Sequence, residues 1–423
     1  MTTALLGCIA DDFTGATDLA SNLVRTGLRV IQTMGIPDGP LGEEADAVVV
    51  ALKTRTAPPA EAVAQSLAAL AWLQAQGAGP IYFKYCSTFD STPRGNIGPV
   101  TDALMDALGA DFTIACPAFP ENGRTVFKGH LFVGDALLHE SGMRNHPLTP
   151  MTDSNLVRVL QAQTRRRVGL IDHLTVAQGA AAITRRMASL RRDGVGMAVV
   201  DAVSDDDLRA MGPALAGLPL LTAGSGVAIG LAPPGGGHSV DEAAKLPPAQ
   251  GFRAIVSGSC SVATNAQVAD FIARGGAAFP VDALQLAQGA DVAAQALAWA
   301  GERLHAGPVL VYATAEPGAV RAVQSQLGVE RAGELVEQAL AGIARGLVQR
   351  GVRQLIVAGG ETSGACVQAL GIDRMRIGPQ IAPGVPWCHA PSIHAPDGGL
   401  HLTLKSGNFG ARDFFTQAFE LLV

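Results

Sequence analysis

The chain has 423 residues, beyond the roughly 250 to 300 at which one hydrophobic core divides, so two substantial domains are expected. Hydrophobic residues make up 48% of it and charged residues 16%, which supplies a large core and excludes a globally disordered chain. Lys plus Arg is 31 and Asp plus Glu is 37, a formal net charge of −6 with no basic run longer than Arg165-Arg166-Arg167, so nucleic acid is excluded as an expected partner.

The apolar stretch from Ala4 is cut at once by Asp11-Asp12 and follows no basic region, so Leu5–Ala10 reads as a first strand and not as a signal peptide or membrane anchor. Further strands are predicted at Ala47–Leu52, Ile81–Tyr85, Phe112–Cys116, Val168–Ile171, Met197–Asp201 and Leu220–Thr222, with periodic helical segments between them. Pro58-Pro59-Ala60-Glu61 opens one such helix, with proline in its first turn, and it runs to Gly77. Asp205-Asp206-Asp207 after Ser204 reads as a capped acidic first turn. From Ala232 to Gly251 Pro and Gly crowd together and the periodicity stops, the mark of an exposed linker. Beyond it come strands at Ala254–Val256, Ala278–Val281, Val309–Tyr312, Leu355–Val357 and His401–Leu404, and a helix at Glu334–Arg350. The expected fold class is α/β, with two domains, each a mainly parallel sheet flanked by helices, and the active site in the interdomain cleft. Six cysteines scattered without a C-x-x-C pair predict free thiols in a reducing, cytoplasmic setting.

Three strand-to-loop junctions of the second half carry glycine and hydroxyl groups: Ser257-Gly258-Ser259-Cys260-Ser261, Gly359-Gly360-Glu361-Thr362-Ser363-Gly364 and Lys405-Ser406-Gly407-Asn408-Phe409-Gly410. Glycine admits a close ligand, a helix N-terminus offers unpaired N–H groups, and Lys405 brings a cation, so the three together are read as a phosphate or nucleotide site. Any one of them alone reads as an ordinary helix cap rather than as a site. No G-x-x-x-x-G-K-[ST] occurs, and Gly224-Ser225-Gly226 lacks the third glycine of a dinucleotide fingerprint. In the first half, polar residues gather after predicted strands: Asp11-Asp12, then Lys53 and Arg55, then Lys84 through Asp90, Arg94 and Asn96, then Cys116 through Arg124. Carboxylates there suit hydroxyls or metal, and arginine suits a small carboxylate. Capping by Asp12 or Thr14 is the plainer alternative for the acid pair. His389 and His394 lack a Cys pair to complete a zinc site and read as loop histidines.

The segments IADDFTGATDLA, KYCSTFDSTPRGN, CPAFPENGR, SGSCS, VAGGETSG and LKSGNFG resemble the four-carbon acid sugar kinase family, over nearly the whole chain. The resemblance implies a sugar-acid substrate domain at 1–232, a linker at 233–251 and a nucleotide domain at 252–423. It implies ATP contacts at Ser259, Gly360, Glu361, Thr362, Ser363 and Gly407, and substrate contacts at Arg55, Lys84, Asp90 and Arg94. Asp11 and Asp12 are the catalytic candidates, with the acid that takes the hydroxyl proton left open, as are the metal ligands. Asp18-Leu19-Ala20 looks most like the branch acting on 3-oxo-tetronate (3-dehydrotetronate), with D-threonate and D-erythronate 4-kinases as the alternative. The expected chemistry is phosphorylation of a C4 hydroxyl by ATP with Mg2+. The expected partner is a small four-carbon acid, with neither nucleic acid nor membrane, and homo-oligomer formation is left possible. A dinucleotide-dependent sugar-acid dehydrogenase and a two-lobed binding protein are the more distant alternatives.

Overall fold

The computed structural model describes residues 5–146, 148–231, 237–315, 322–323 and 325–422. They fall into two units, Met1–Ala244 and Lys245–Val423, divided inside the stretch read as linker. No described helix is long and apolar enough to cross a membrane.

The first unit is built on eight parallel strands: β1 (Leu5–Ala10), β2 (Val30–Met34), β3 (Ala47–Ala51), β4 (Ala78–Lys84), β5 (Thr113–Cys116), β9 (Arg167–Ile171), β10 (Val195–Val200) and β11 (Leu220–Ala223). Their order in the sheet is β2-β3-β1-β4-β11-β5-β10-β9. AVVVA in β3 and VGMAVV in β10 are buried at every position, as expected of parallel strands covered on both faces. The chain places β2 and β3 on one side of β1 and then crosses to lay β4 on the other. Crevices at such a reversal, outside the carboxyl ends of the strands, are where open α/β sheets bind ligands. Between β5 and β9 an antiparallel insert is formed by β6 (Arg124–Phe127), β7 (His130–Val133) and β8 (Ala136–Leu137). The buried Asp201 pins its first turn by accepting from the N–H groups of Lys128 and Gly129 at 2.7 and 2.8 Å.

The second unit holds β12 (Phe252–Ser257), β13 (Ala277–Pro280), β14 (Val309–Tyr312), β15 (Val352–Ala358), β16 (Arg374–Ala382), β17 (Val385–Ala390) and β18 (Leu400–Lys405). The order is β13-β14-β12-β15-β18-β17-β16, parallel through β18 and antiparallel in the last three strands. Its core packs Ile255, Phe271, Leu310, Ile356, Trp387, Phe414 and Phe419 together. The class is α/β with mainly parallel sheets, as read from the sequence.

The linker was expected to lack periodic structure, and here the structure differs. Residues 232–236 lie outside the described residues, but Val240–Ala243 is a helical turn closed by a reciprocal Ser239–Glu242 capping box, and Ala243 is buried. Glycine and proline on both sides hide this short turn in the sequence. At Ser204 the capped acidic turn forms as expected, with a capping box to Asp207.

Candidate active site

In the first unit the ends of three strands are stitched together. The Asp11 N–H donates to Lys84 O at the end of β4, Leu52 N–H donates to Ala10 O at the end of β1, and Thr54 and Arg55 N–H both donate to Asp11 O. Asp12 then leaves the strand and caps helix Phe13–Arg25, accepting from Gly15 N–H at 3.2 Å and from Thr14 Oγ1 at 2.9 Å. Arg55 grips Asp11 bidentately, Nε to Oδ2 at 3.0 Å and Nη2 to Oδ1 at 2.9 Å, and reaches Asp12 Oδ1 at 2.5 Å. Lys84 Nζ lies 3.1 Å from Asp12 Oδ1 and 3.9 Å from Asp11 Oδ1. Asp90 completes the group, 3.7 Å from Arg55 Nη1, with Thr88 Oγ1 donating to its Oδ1 at 2.7 Å.

The loop that presents Asp90 is strained. Phe89 and Asp90 have φ of 62° and 20°, conformations that persist where the surroundings over-determine them. Phe89 supplies that constraint: it is fully buried, edge-on to Tyr85 with ring centroids 5.5 Å apart. Asn96 braces the opposite loop, its Nδ2 donating to Thr54 O at 2.7 Å and Ala57 O at 2.8 Å.

The acid pair is electrically unequal. Burial is the largest influence on both. At Asp11 it pushes the carboxyl up against the pull of Arg55 and Lys84. At Asp12 those two cations, with hydrogen bonds from Thr14 and Lys84, outweigh burial and hold the carboxyl well below the ordinary range. Burial works against the charge of Arg55 and Lys84, but the facing carboxylates prevail and both stay protonated. The result is a set of charges, with Asp11 and Lys84 buried and Asp12 and Arg55 half-buried, able to orient hydroxyl and carboxylate groups with little reorganisation.

In the second unit β12, β15 and β18 lie side by side, and their carboxyl ends are again stitched. Gly258 and Ser259 N–H donate to Ala358 O, and Gly359 N–H donates to Lys405 O. Ser261 caps helix Val262–Ala273 by accepting from Thr264 N–H at 3.2 Å, while Ser261 and Thr264 hydroxyls donate to Gly407 O at 2.6 and 2.8 Å. A cavity of about 500 Å3 opens here, within the range of small-ligand sites. Gly258, Ser259, Gly360, Glu361 and Thr362 line it together with the apolar Val281, Ala313, Ala332 and Val336. A Cβ at Gly258 would lie 2.2 Å from Thr362 Oγ1, and one at Gly407 2.6 Å from Ser259 Oγ, whereas one at Gly360 would meet nothing within 4 Å. Helix Gly360–Ala369 therefore opens its N-terminus beside free space. A bare-backbone cradle, a helix N-terminus and apolar lining residues fit a nucleotide with its phosphates at the loops.

Most predicted site residues converge. Asp11, Asp12, Arg55, Lys84 and Asp90 form one cluster, and Ser259, Gly360, Glu361 and Thr362 share one cavity wall. Arg94 stands apart: it is exposed, and its bond is from its backbone N–H to Thr92 Oγ1. Ser363 is fully buried behind the cavity wall, its Oγ without a partner among the described residues. Gly407 lies behind Ser259 and receives the Ser261 and Thr264 hydroxyls. Lys405 corrects the expectation of a loop cation. It is buried, and its Nζ donates to Thr264 Oγ1 and to the carbonyls of Ser406, Gly407 and Phe409 at 3.0 to 3.2 Å. Burial lowers its pKa to about 8. It shapes the loop from within. The Asp18–Ser225 pairing was not read from the sequence; its members lie 207 residues apart and meet only in the fold.

The two units match known domains. The family model described as a sugar-binding N-terminal domain covers residues 6–231, and that described as a nucleotide-binding C-terminal domain covers 254–415. Relatives named 3-oxo-tetronate kinase include one from Cupriavidus necator, 59% identical over 99% of this chain and 97% of the relative, and one from Brucella melitensis biotype 1, 51% identical over 98% and 94%. Among solved structures, a Haemophilus influenzae protein matches with a TM-score of 0.84 at 46% identity, over 99% of this chain and 100% of that one. A Salmonella typhimurium LT2 protein, provisionally called a tRNA synthase, matches with a TM-score of 0.90 at 45% identity and the same coverage. The chain belongs to the four-carbon acid sugar kinase family, the family of the 3-oxo-tetronate kinases, in which a sugar-binding domain precedes a nucleotide-binding one.

Proposed function

We propose that this protein is an ATP-dependent kinase that phosphorylates the C4 hydroxyl of 3-oxo-tetronate, giving 3-oxo-tetronate 4-phosphate and ADP. The observation that carries this reading is the largely buried two-acid, two-cation cluster at the strand ends of the unit that matches a sugar-binding domain. The relatives' names support the substrate. Residues 1–232 would hold the sugar acid, 252–423 the nucleotide, and 233–251 would join them.

The residues divide the work by charge. Arg55 and Lys84 are fixed cations for the carboxylate and oxygen functions of the substrate, with Asp90 an acceptor for a hydroxyl. Asp11, whose carboxyl burial pushes up, is the better proton acceptor of the pair, while Asp12 stays ionised as an orienting anion and helix cap. In the transfer the O4–H proton passes to the carboxylate, O4 bonds to the γ-phosphorus, and the bond to the β–γ bridging oxygen of ATP breaks. Ser259, Gly360 and Thr362 would receive the phosphates on hydroxyl and backbone donors. Mg2+ would neutralise charge between the phosphates. Among the described residues no cluster of three metal-ligating side chains occurs, and Glu361 is the acid on the cavity wall nearest the glycine loop, which suits a metal carried mainly by phosphate. Six free thiols support a reducing, cytoplasmic setting.

A coupled ADP-release assay over a panel of four-carbon acids tests the reading. The expected result is highest kcat/KM with 3-oxo-tetronate, because a pocket built to pair a ketone rejects a hydroxyl at that carbon. A clear preference for D-threonate or D-erythronate would keep the kinase and replace the substrate.

A further inference from the structure

Asp18 is an acid of the first unit that none of these roles uses. It lies one turn beyond Gly15 on helix Phe13–Arg25, on the face where Gly15 leaves room for the Lys84 ammonium. Ser225 Oγ donates to its Oδ2, and its Oδ1 is buried without a partner among the described residues. Lys84 is itself short of partners. Its side chain is 4% exposed, and of its three donors only one makes a hydrogen bond among the described residues, to Asp12. A half-buried carboxylate whose Oδ1 is buried without a partner among the described residues, and a buried ammonium with one hydrogen bond, cost stability and so point to function.

Ser225 is a fixed donor. A Cβ at Gly224 would lie 2.9 Å from Pro117 O and one at Gly226 2.3 Å from Ala118 O, so this loop is wedged against the chain leaving β5. The Tyr82 hydroxyl donates to Gly224 O, and Asn22, a turn beyond Asp18, donates to Ser225 O at 3.1 Å. The charged groups facing Asp18 are Lys84 from the end of β4, Asp12 from the end of β1 and Glu121 from the turn after β5, the last paired with Arg25 at 2.7 Å. Burial pushes the Asp18 carboxyl up to about 6, with Ser225 and Lys84 opposing and Asp12 and Glu121 adding to the rise.

We propose that Asp18 is a positioning residue for phosphoryl transfer: clamped by Ser225, it is the anion that holds the Lys84 ammonium away from full collapse onto Asp12, so that the remaining Lys84 donors face the sugar acid. The proposal rests on the kinase reading. Asp18→Asn keeps the shape and removes the charge, leaving Lys84 drawn to Asp12 and Asp11 alone. Ser225→Ala removes a hydrogen bond that favours the charged form.

The experiment measures kcat and KM against pH for the wild type, Asp18→Asn, Asp18→Glu and Ser225→Ala, with Tm for each. It also follows the aspartate carboxyl 13C signals without substrate. In the wild type kcat/KM is expected to fall on the acid side near pH 6, with one carboxyl titrating there. Asp18→Asn should lose that limb and run about tenfold or more below wild type at pH 7.5, a cost of the size expected from misplaced groups, without a lower Tm. Ser225→Ala should move the limb to higher pH, and Asp18→Glu should restore part of the activity and a limb. Normal transfer with the wild-type acid limb intact in Asp18→Asn, or activity and Tm lost together at every pH, would overturn the role given to Asp18 alone. No transfer by the wild type to any four-carbon acid would overturn the kinase reading and this role with it.

Discussion

Gly15 has no room for a side chain because the space is filled by the site itself. A Cβ there would lie 1.5 Å from Lys84 Nζ and 2.2 Å from Asp12 Oδ1. The neighbour is the end of a flexible chain, so Gly15→Ala should fold, at an overpacking cost of about 1–3 kcal/mol, with the ammonium displaced. The expected outcome is a kcat/KM reduced on the order of 100-fold and a Tm lowered by only a few degrees; wild-type kinetics would show that Lys84 does not act from where it lies. The acid pair gives a second prediction. Asp11→Asn and Asp12→Asn should differ, at least one losing on the order of 100-fold in kcat/KM, the scale of lost general-base assistance, while both still bind ATP. Asparagine also caps helices, so Asp12→Asn removes chiefly charge. Because the folded-state carboxyl of Asp12 is held below its unfolded value, its stabilisation is complete above about pH 4 and is lost as the pH falls through the folded value. The stability gap between wild type and Asp12→Asn, followed by chemical denaturation from pH 7 to 3, should therefore narrow toward the acid end.

At the scale of elements, strand ends were legible and side-chain direction was not. Leu5–Ala10 and Val309–Tyr312 were read to the residue because uninterrupted apolar runs flanked by polar loops define them. β2 escaped because Gln32 and Thr33, both fully buried, break its apolar run. β16 and β17 escaped because Pro379 and Pro386 argue against strands. The same limit governs the site. Acids, cations and glycines after strands marked where chemistry would gather, and five of the first unit's candidates do gather. Whether Arg94 turns outward, Ser363 inward or Lys405 onto its own loop depends on packing that spacing does not encode. Lys405 makes this testable. Lys405→Met removes the charge-assisted hydrogen bonds of a buried ammonium, at about 1.5–3 kcal/mol each, although Ser406, Gly407 and Phe409 O keep donors in the Phe409 N–H, the Ser261 and Thr264 hydroxyls and Gln267 Nε2. The variant should melt lower even without nucleotide and bind ATP more weakly. An unchanged nucleotide-free Tm with weaker ATP binding would mean that Lys405 faces phosphate after all.

At the scale of the whole molecule, a chain of two units need not melt in one step, and each unit should respond to its own ligand. A ligand that binds only the folded state adds about 2.7 kcal/mol at a hundred times its Kd, and that addition falls on the unit that holds it. ATP with Mg2+ should therefore raise the melting transition of the second unit, while NAD and NADP, the ligands of the dehydrogenase alternative, should raise neither. Gly360 lets the cause be isolated. Gly258 and Gly407 are packed against side chains that a Cβ would strike, so replacing them confounds folding with binding. Gly360 opens onto unfilled space at the first turn of its helix, where valine fits the fold but stands where a phosphate would approach the backbone. Gly360→Val should keep the nucleotide-free melting curve of the wild type and lose the ATP shift, and Ser259→Ala should weaken that shift less. Thermal unfolding of the three proteins with ATP, ADP and NAD decides the matter: an ATP shift retained in full by Gly360→Val would place the phosphates elsewhere, and a shift from NAD equal to that from ATP would remove the kinase assignment of this cavity.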